Sequence, residues 1–209
     1  MELFYILNCN IVDRLNAWIT SGGTLLRNKR MGCGLNSLAF LNVITRETGE
    51  QLLNEIDLRT GTTMDQIMNL IKLKFHQQNQ ELITREYPIS VNSLDNFHKF
   101  IANIKIELPN DSCTYAKMMP PFNFDPNPKK KFRGGHTILF CKDVQGYLSS
   151  IDPHQESGCY LNTPEEINNF FYNKVSSFYV YISLIYGRLV VPPVPTASFK
   201  SRKTRKSRK

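Results

Sequence analysis

An α+β fold, with an N-terminal helical layer packed on an antiparallel β-sheet, is predicted by three features of this 209-residue chain. Helical apolar spacing runs through the first half. Strand-like runs dominate the second half. Two of those runs are joined by a turn too short for a parallel crossover. The composition agrees with a globular domain: 41% apolar and 21% charged residues. A chain of this length buries a core without disulfides or metal.

The elements follow in order. Ile11, Leu15, Trp18 and Ile19 recur at helical spacing over residues 11–19. The segment TSGGTLLRNKRMG then reads as a loop. Helical spacing resumes from Gly34 to about Thr48, with Leu35, Leu38, Ala39 and Val43 facing a core and Gly49 stopping the run. Residues 61–75 form the clearest helix, capped by Thr62 or Thr63, with Ile67, Leu70, Ile71 and Phe75 as its stripe. Another helix runs from Ser93, as cap, to Ile104. Its flanks, Glu81–Ile89 and Ile104–Leu108, read as short strands.

Residues 113–119 read as a strand, and 120–133 as a loop, since they hold four prolines and a lysine run. GGHTILFCKD and GYLSSID are two strands joined by a tight turn at Val144–Gly146. Thr163-Pro164-Glu165-Glu166 opens a helix with a cap, a first-turn proline and two acids. Residues 178–187 are a buried strand. The sheet is therefore expected over 134–142, 146–152 and 178–187. The domain spans 1–190, and a Pro-rich linker with a disordered basic tail spans 191–209.

Charge separates these two parts. The net charge is +8, but residues 200–209 hold seven of the 26 Lys and Arg and no acid. That leaves 19 basic against 18 acidic residues, or +1, on the domain. A basic tail of this kind binds nucleic acid or acidic surfaces, serves as an address, or merely solubilises. Five cysteines in irregular spacing, with no secretory signal, favour free thiols and an intracellular place in cytoplasm or nucleus. No run is long enough to span a membrane. Neither a cofactor nor a metal site is expected, because the four histidines lack ligand spacing.

Candidate chemistry gathers at three places. Cys33 stands between two glycines, directly before a helix, where the dipole and free N–H groups favour a thiolate. The flanking glycines would admit a substrate backbone. A core cysteine is the plainer reading of the same position. His136 opens a strand after two glycines, within reach of a neighbouring element as a base. Asp152 ends the next strand, so a hairpin would set it beside His136 to orient the imidazole; it also suits an Asp-Pro turn. The amide of Cys33, and the side chain of Asn28, are candidate oxyanion donors.

GCGLNSLAFL, GTTMDQIMNLI, GGHTILF, SSIDPHQ and LNTPEEINNFF stand in that order over residues 28–175. The ordered set resembles the papain-like cysteine peptidase superfamily. It is most similar to the peptidase domains of bacteriocin-processing transporters, and it is also similar to papain-fold toxin domains. Two departures stand out: His154 interrupts the toxin-type Ile-Asp-Pro-Gln, and Asn28 stands roughly where papain-like enzymes carry a glutamine.

The resemblance implies a papain-like fold and a cysteine hydrolase, peptidase or isopeptidase. Its triad would be Cys33, His136 and Asp152, working through a thioester. The substrate would be a protein or peptide, with ubiquitin-like conjugates among the candidates. A glutamine deamidase with the same triad, or a papain-fold binding protein without catalysis, remains open. The basic tail and the Asn- and Ile-rich composition resemble proteins of large DNA viruses, which would add packaging in a virion to the expected locations.

Overall fold

Side-chain alternation along two central strands sorts the helices into two layers. The computed structural model describes residues 2–3, 5–6, 11–25, 32–55, 62–77, 81–90, 93–119, 135–175 and 181–190. The strands are β1 (Glu2–Leu3), β2 (Tyr5–Ile6), β3 (Glu81–Ser90), β4 (Ser112–Met119), β5 (His136–Lys142), β6 (Leu148–Asp152), β7 (Ser157–Tyr160) and β8 (Tyr181–Val190). The helices are α1 (Ile11–Thr20), α2 (Cys33–Phe40), α3 (Arg46–Glu55), α4 (Met64–Gln77), α5 (Leu94–Glu107) and α6 (Pro164–Phe170), the last extended by a π-helical turn, Phe171–Val175. The fold is α+β.

The described strands form one sheet in which every pairing is antiparallel. Its path is β3-β8-β4-β5-β6-β7. β1 pairs with β8 and β2 with β4, where those two strands stop pairing with each other. Cys113, Tyr115, Leu139, Cys141 and Ile151 pack on one face with Trp18, Leu25, Leu35, Leu38, Leu53, Ile67 and Ile71. Ala116, Met118, Ile138 and Phe140 pack on the other face with Phe97, Phe100, Ile101, Ile104, Phe170 and Phe171. Period-two alternation requires this split. A single N-terminal helical layer was the expectation. The structure adds a second layer, α5 and α6, because Phe97 stacks on Phe100 and Phe170 and so couples those two helices.

Several local expectations need correction. The helix expected over 34–48 breaks after Phe40. Asn42 takes φ 56°, Asn42 N–H donates to Ala39 O at 3.0 Å, and Val43 N–H donates to Leu38 O at 2.9 Å. This is a Schellman stop with asparagine in the left-handed position. Thr45 Oγ1 then accepts from Thr48 N–H at 3.2 Å and starts α3. Gly49 lies inside that helix rather than ending it. A Cβ there would come 2.6 Å from Leu25 Cδ1, so its small size serves packing. The strand expected over Ile104–Leu108 is the last turn of α5, since Ile104 continues the buried face of Phe97 and Ile101. β1, β2 and β7 were not foreseen.

The caps match their sequence signals. Thr63 Oγ1 accepts from Gln66 N–H while Gln66 Oε1 accepts from Thr63 N–H. Ser93 Oγ accepts from Asn96 N–H, and Thr163 with Glu166 forms a capping box. Among the described residues no helix is long and apolar enough to cross a membrane. Cys9, the 120–133 loop, residues 178–180 of the last expected strand, and the 191–209 linker and tail lie outside the described residues.

Candidate active site

Cys33, His136 and Asp152 come together from three elements. Cys33 is the first residue of α2 and is partly exposed. The first bond of that helix runs from Asn36 N–H to Gly32 O, at 2.9 Å. The amides of Cys33 and Gly34 therefore precede the ladder, as helix-start donors do. α2 lies against β5, whose first residue is His136. Gly34 allows the close approach: a Cβ there would sit 3.0 Å from Tyr115 Oη and 3.1 Å from Ile67 Cδ1. This glycine was expected to admit a substrate backbone. The structure gives it a packing role as well, against the protein's own sheet and helix.

His136 Nε2 lies 2.6 Å from Asp152 Oδ2. The hairpin explains the meeting. Leu139 pairs with Ile151, so continuing the register sets Asp152 across from Ile138, two residues from His136 on the same face. Asp152 Oδ1 accepts from the N–H groups of His154 and Gln155, each at 3.1 Å. Both carboxylate oxygens are thus committed, one to the turn and one to the imidazole. With Nε2 on Asp152, Nδ1 is the ring nitrogen left for the Cys33 thiol, with which His136 is electrostatically coupled.

The electrostatics favour an ion pair. Burial is the largest single influence on Cys33 and opposes its ionisation. The hydrogen bond and charge of His136, with hydrogen bonds from the N–H and hydroxyl of Thr137, outweigh it and lower the thiol pKa below 9.0. Burial likewise opposes the charged form of His136. Its hydrogen bonds to Asp152 and Cys33, and their negative charges, push its pKa up to about 10. Both shifts favour a thiolate–imidazolium pair over the neutral pair, the form that can attack a carbonyl carbon and protonate a leaving group.

Four supporting residues were not assigned from sequence. Thr137 points to the Cys33 face of β5, and Tyr115 Oη donates to its Oγ1 at 3.2 Å. Alternation through GGHTILF places Thr137 with Leu139 and Cys141 on that face and His136, the strand's first residue, with Ile138 on the other. Asn36 and His154 meet at 3.2 Å behind the site. Their approach depends on long-range packing that no local pattern encodes. Asn28 lies outside the described residues, so its oxyanion role remains an expectation from sequence.

The expectation of free thiols is corrected for one pair. Cys113 and Cys141 face each other directly in the β4–β5 register, with Cα atoms 4.0 Å apart, and are joined as a disulfide. Direct opposition on one face brings two sulfurs together whatever their sequence spacing. Cys33 and the exposed Cys159 are free. Among the described residues no cluster of His, Cys, Asp or Glu could hold a metal ion. No family model and no curated protein matches the chain.

Proposed function

We propose that this chain is a cysteine hydrolase of papain-like fold, a peptidase or isopeptidase acting through a thioester. The observation that carries the reading is Asp152 bonded to His136 at 2.6 Å, with Cys33 at a helix start close enough to His136 for its thiol pKa to be lowered by it. Base and orienting acid stand in hydrogen-bond reach, and nucleophile and base are electrostatically coupled.

The Cys33 thiolate attacks the carbonyl carbon of a peptide or isopeptide bond. The resulting oxyanion meets the amides at the start of α2. His136 gives its proton to the leaving amine as the C–N bond breaks, and a thioester on Cys33 remains. Water then attacks that thioester, His136 takes its proton, and the acid product leaves with the thiolate restored. Asp152 holds the imidazole throughout and balances its positive charge.

The test is labelling with a ubiquitin-based thiol probe beside a small peptide electrophile, with wild type and Cys33→Ala compared. The proposal expects a covalent adduct on Cys33 and none in the variant, together with cleavage of a peptide or isopeptide substrate. Ammonia release from glutamine without chain cleavage would move the same acyl-enzyme chemistry to deamidation. An adduct that persists in Cys33→Ala would refute the assignment.

A further inference from the structure

Asn36 lies one helical turn beyond Cys33 and is fully buried. Its Oδ1 accepts from Leu25 N–H at 2.8 Å, and its Nδ2 donates to Gly32 O at 2.8 Å. These two backbone partners fix the amide orientation. Exchanging oxygen and nitrogen would set carbonyl against carbonyl and N–H against N–H. The second hydrogen of Nδ2 faces His154 Nδ1, 3.2 Å away. That nitrogen must therefore offer a lone pair, so the neutral ring carries its proton on Nε2.

His154 belongs to the turn that follows Asp152. Its own N–H donates to Asp152 Oδ1, and its carbonyl accepts from Thr24 Oγ1 at 2.8 Å. Asn36 thus touches both halves of the site: Gly32, which precedes the nucleophile, and the turn that holds the acid. We propose that Asn36 and His154 are positioning residues that clasp the start of the Cys33 helix to the Asp152 turn, and that the clasp closes only on neutral His154.

The surroundings support the neutral form. Burial, the strongest influence, and the charge of His136 lower the pKa of His154 against the pull of Asp152. Glu156 in the same turn is occupied by Thr24 N–H and Oγ1. Lys174 is engaged by Gln155 Oε1. From α2, His154 meets the uncharged Asn36, with Cys33 at the start of that helix. A proton on Nδ1 would set two N–H groups face to face and place a second cation beside His136. The consequence for turnover rests on the hydrolase reading, whereas the clasp and its protonation state do not.

Two measurements on the full chain test it. Imidazole proton–nitrogen correlation spectra of the wild type at neutral pH should show His154 with Nδ1 unprotonated and a proton on Nε2. Alkylation of Cys33 by iodoacetamide should then be followed from about pH 5 to 8, across the histidine range. His154→Ala should slow it about tenfold, within the scale expected for small misplacements. His154→Gln, whose Oε1 accepts from Asn36 but does not titrate, should restore most of that loss. Its rate should fall less steeply than the wild type's toward acid pH. A proton on His154 Nδ1 at neutral pH, or superimposable profiles for the three proteins, would overturn the clasp. Neither readout needs a substrate, so a failure to hydrolyse anything would count against the hydrolase reading alone.

Discussion

His136 gives Nε2 to Asp152 Oδ2 at 2.6 Å, while the other oxygen of that carboxylate accepts two backbone N–H groups of its own turn. No amide can reproduce this pattern. In Asp152→Asn the side chain either turns its NH₂ onto the turn's N–H groups or turns it onto His136 Nε2, which puts the ring proton on the wrong nitrogen. Asp152→Asn should therefore lose nearly as much as Asp152→Ala, about 10²- to 10⁴-fold in kcat/KM, the usual range for a disabled base. Comparing the two variants on one substrate checks this. An Asn variant close to wild type would remove the need for a charged orienting group.

Thr137 offers the second prediction. Its N–H and hydroxyl are among the influences that lower the Cys33 thiol pKa, and Tyr115 donates to that hydroxyl. Losing a hydrogen bond to a charged group costs about 1.5–3 kcal/mol, or roughly one to two pH units. Thr137→Val should raise the apparent pKa of Cys33 by about that amount, and Tyr115→Phe by less. The pH dependence of alkylation reads both.

The thiols should label in a fixed order. Cys159 is the more exposed of the two free cysteines in the described residues, yet Cys33 has its thiol pKa lowered by a histidine held by an acid. Brief alkylation at mildly acidic pH should modify Cys33 first. Without reductant, Cys113 and Cys141 should take no label, because they are bonded to each other. Peptide mapping by mass spectrometry distinguishes all four. Reduction should lower stability by about 3–4 kcal/mol if the loop-entropy account applies to a 28-residue separation.

The far helical layer can be tested apart from the site. Phe97 is fully buried and packs against Phe100, Phe170 and Phe171. Phe97→Ala should cost about 3–5 kcal/mol, measured by denaturant unfolding. Loss below 1 kcal/mol would mean that α5 and α6 are coupled by something other than this ring cluster.

Much of this arrangement was legible in the sequence, for identifiable reasons. Thr63, Ser93 and Thr163 mark helix starts because a cap is a local bond between residues three apart. The His136–Asp152 meeting was legible because a short turn fixes a hairpin register. The break at Asn42 was not, since the apolar residues Leu41 and Val43 on either side continue the helical pattern and the deciding bonds are made by the backbone. β1, β2 and β7 are two to four residues long, too short to show a period. The Asn36–His154 contact and the Cys113–Cys141 bond join residues far apart in sequence. Only the assembled sheet and its helices bring them together.

The proposed chemistry requires His136 to ionise Cys33. With thiolate and imidazolium coupled, the two titrations belong to the pair. The reactive state should span a window from the lowered thiol pKa up to about 10, where His136 loses its proton. His136→Ala removes both the hydrogen bond and the charge, so the thiol should return to or above 9.0, its ordinary value, under the burial that remains. The most direct measurement is the rate of Cys33 alkylation against pH in wild type and His136→Ala. The wild-type rate should persist to lower pH than the variant's, and below the variant's thiol pKa the variant should be slower by more than about tenfold, because only the thiolate reacts. Superimposable profiles would contradict the proposed chemistry.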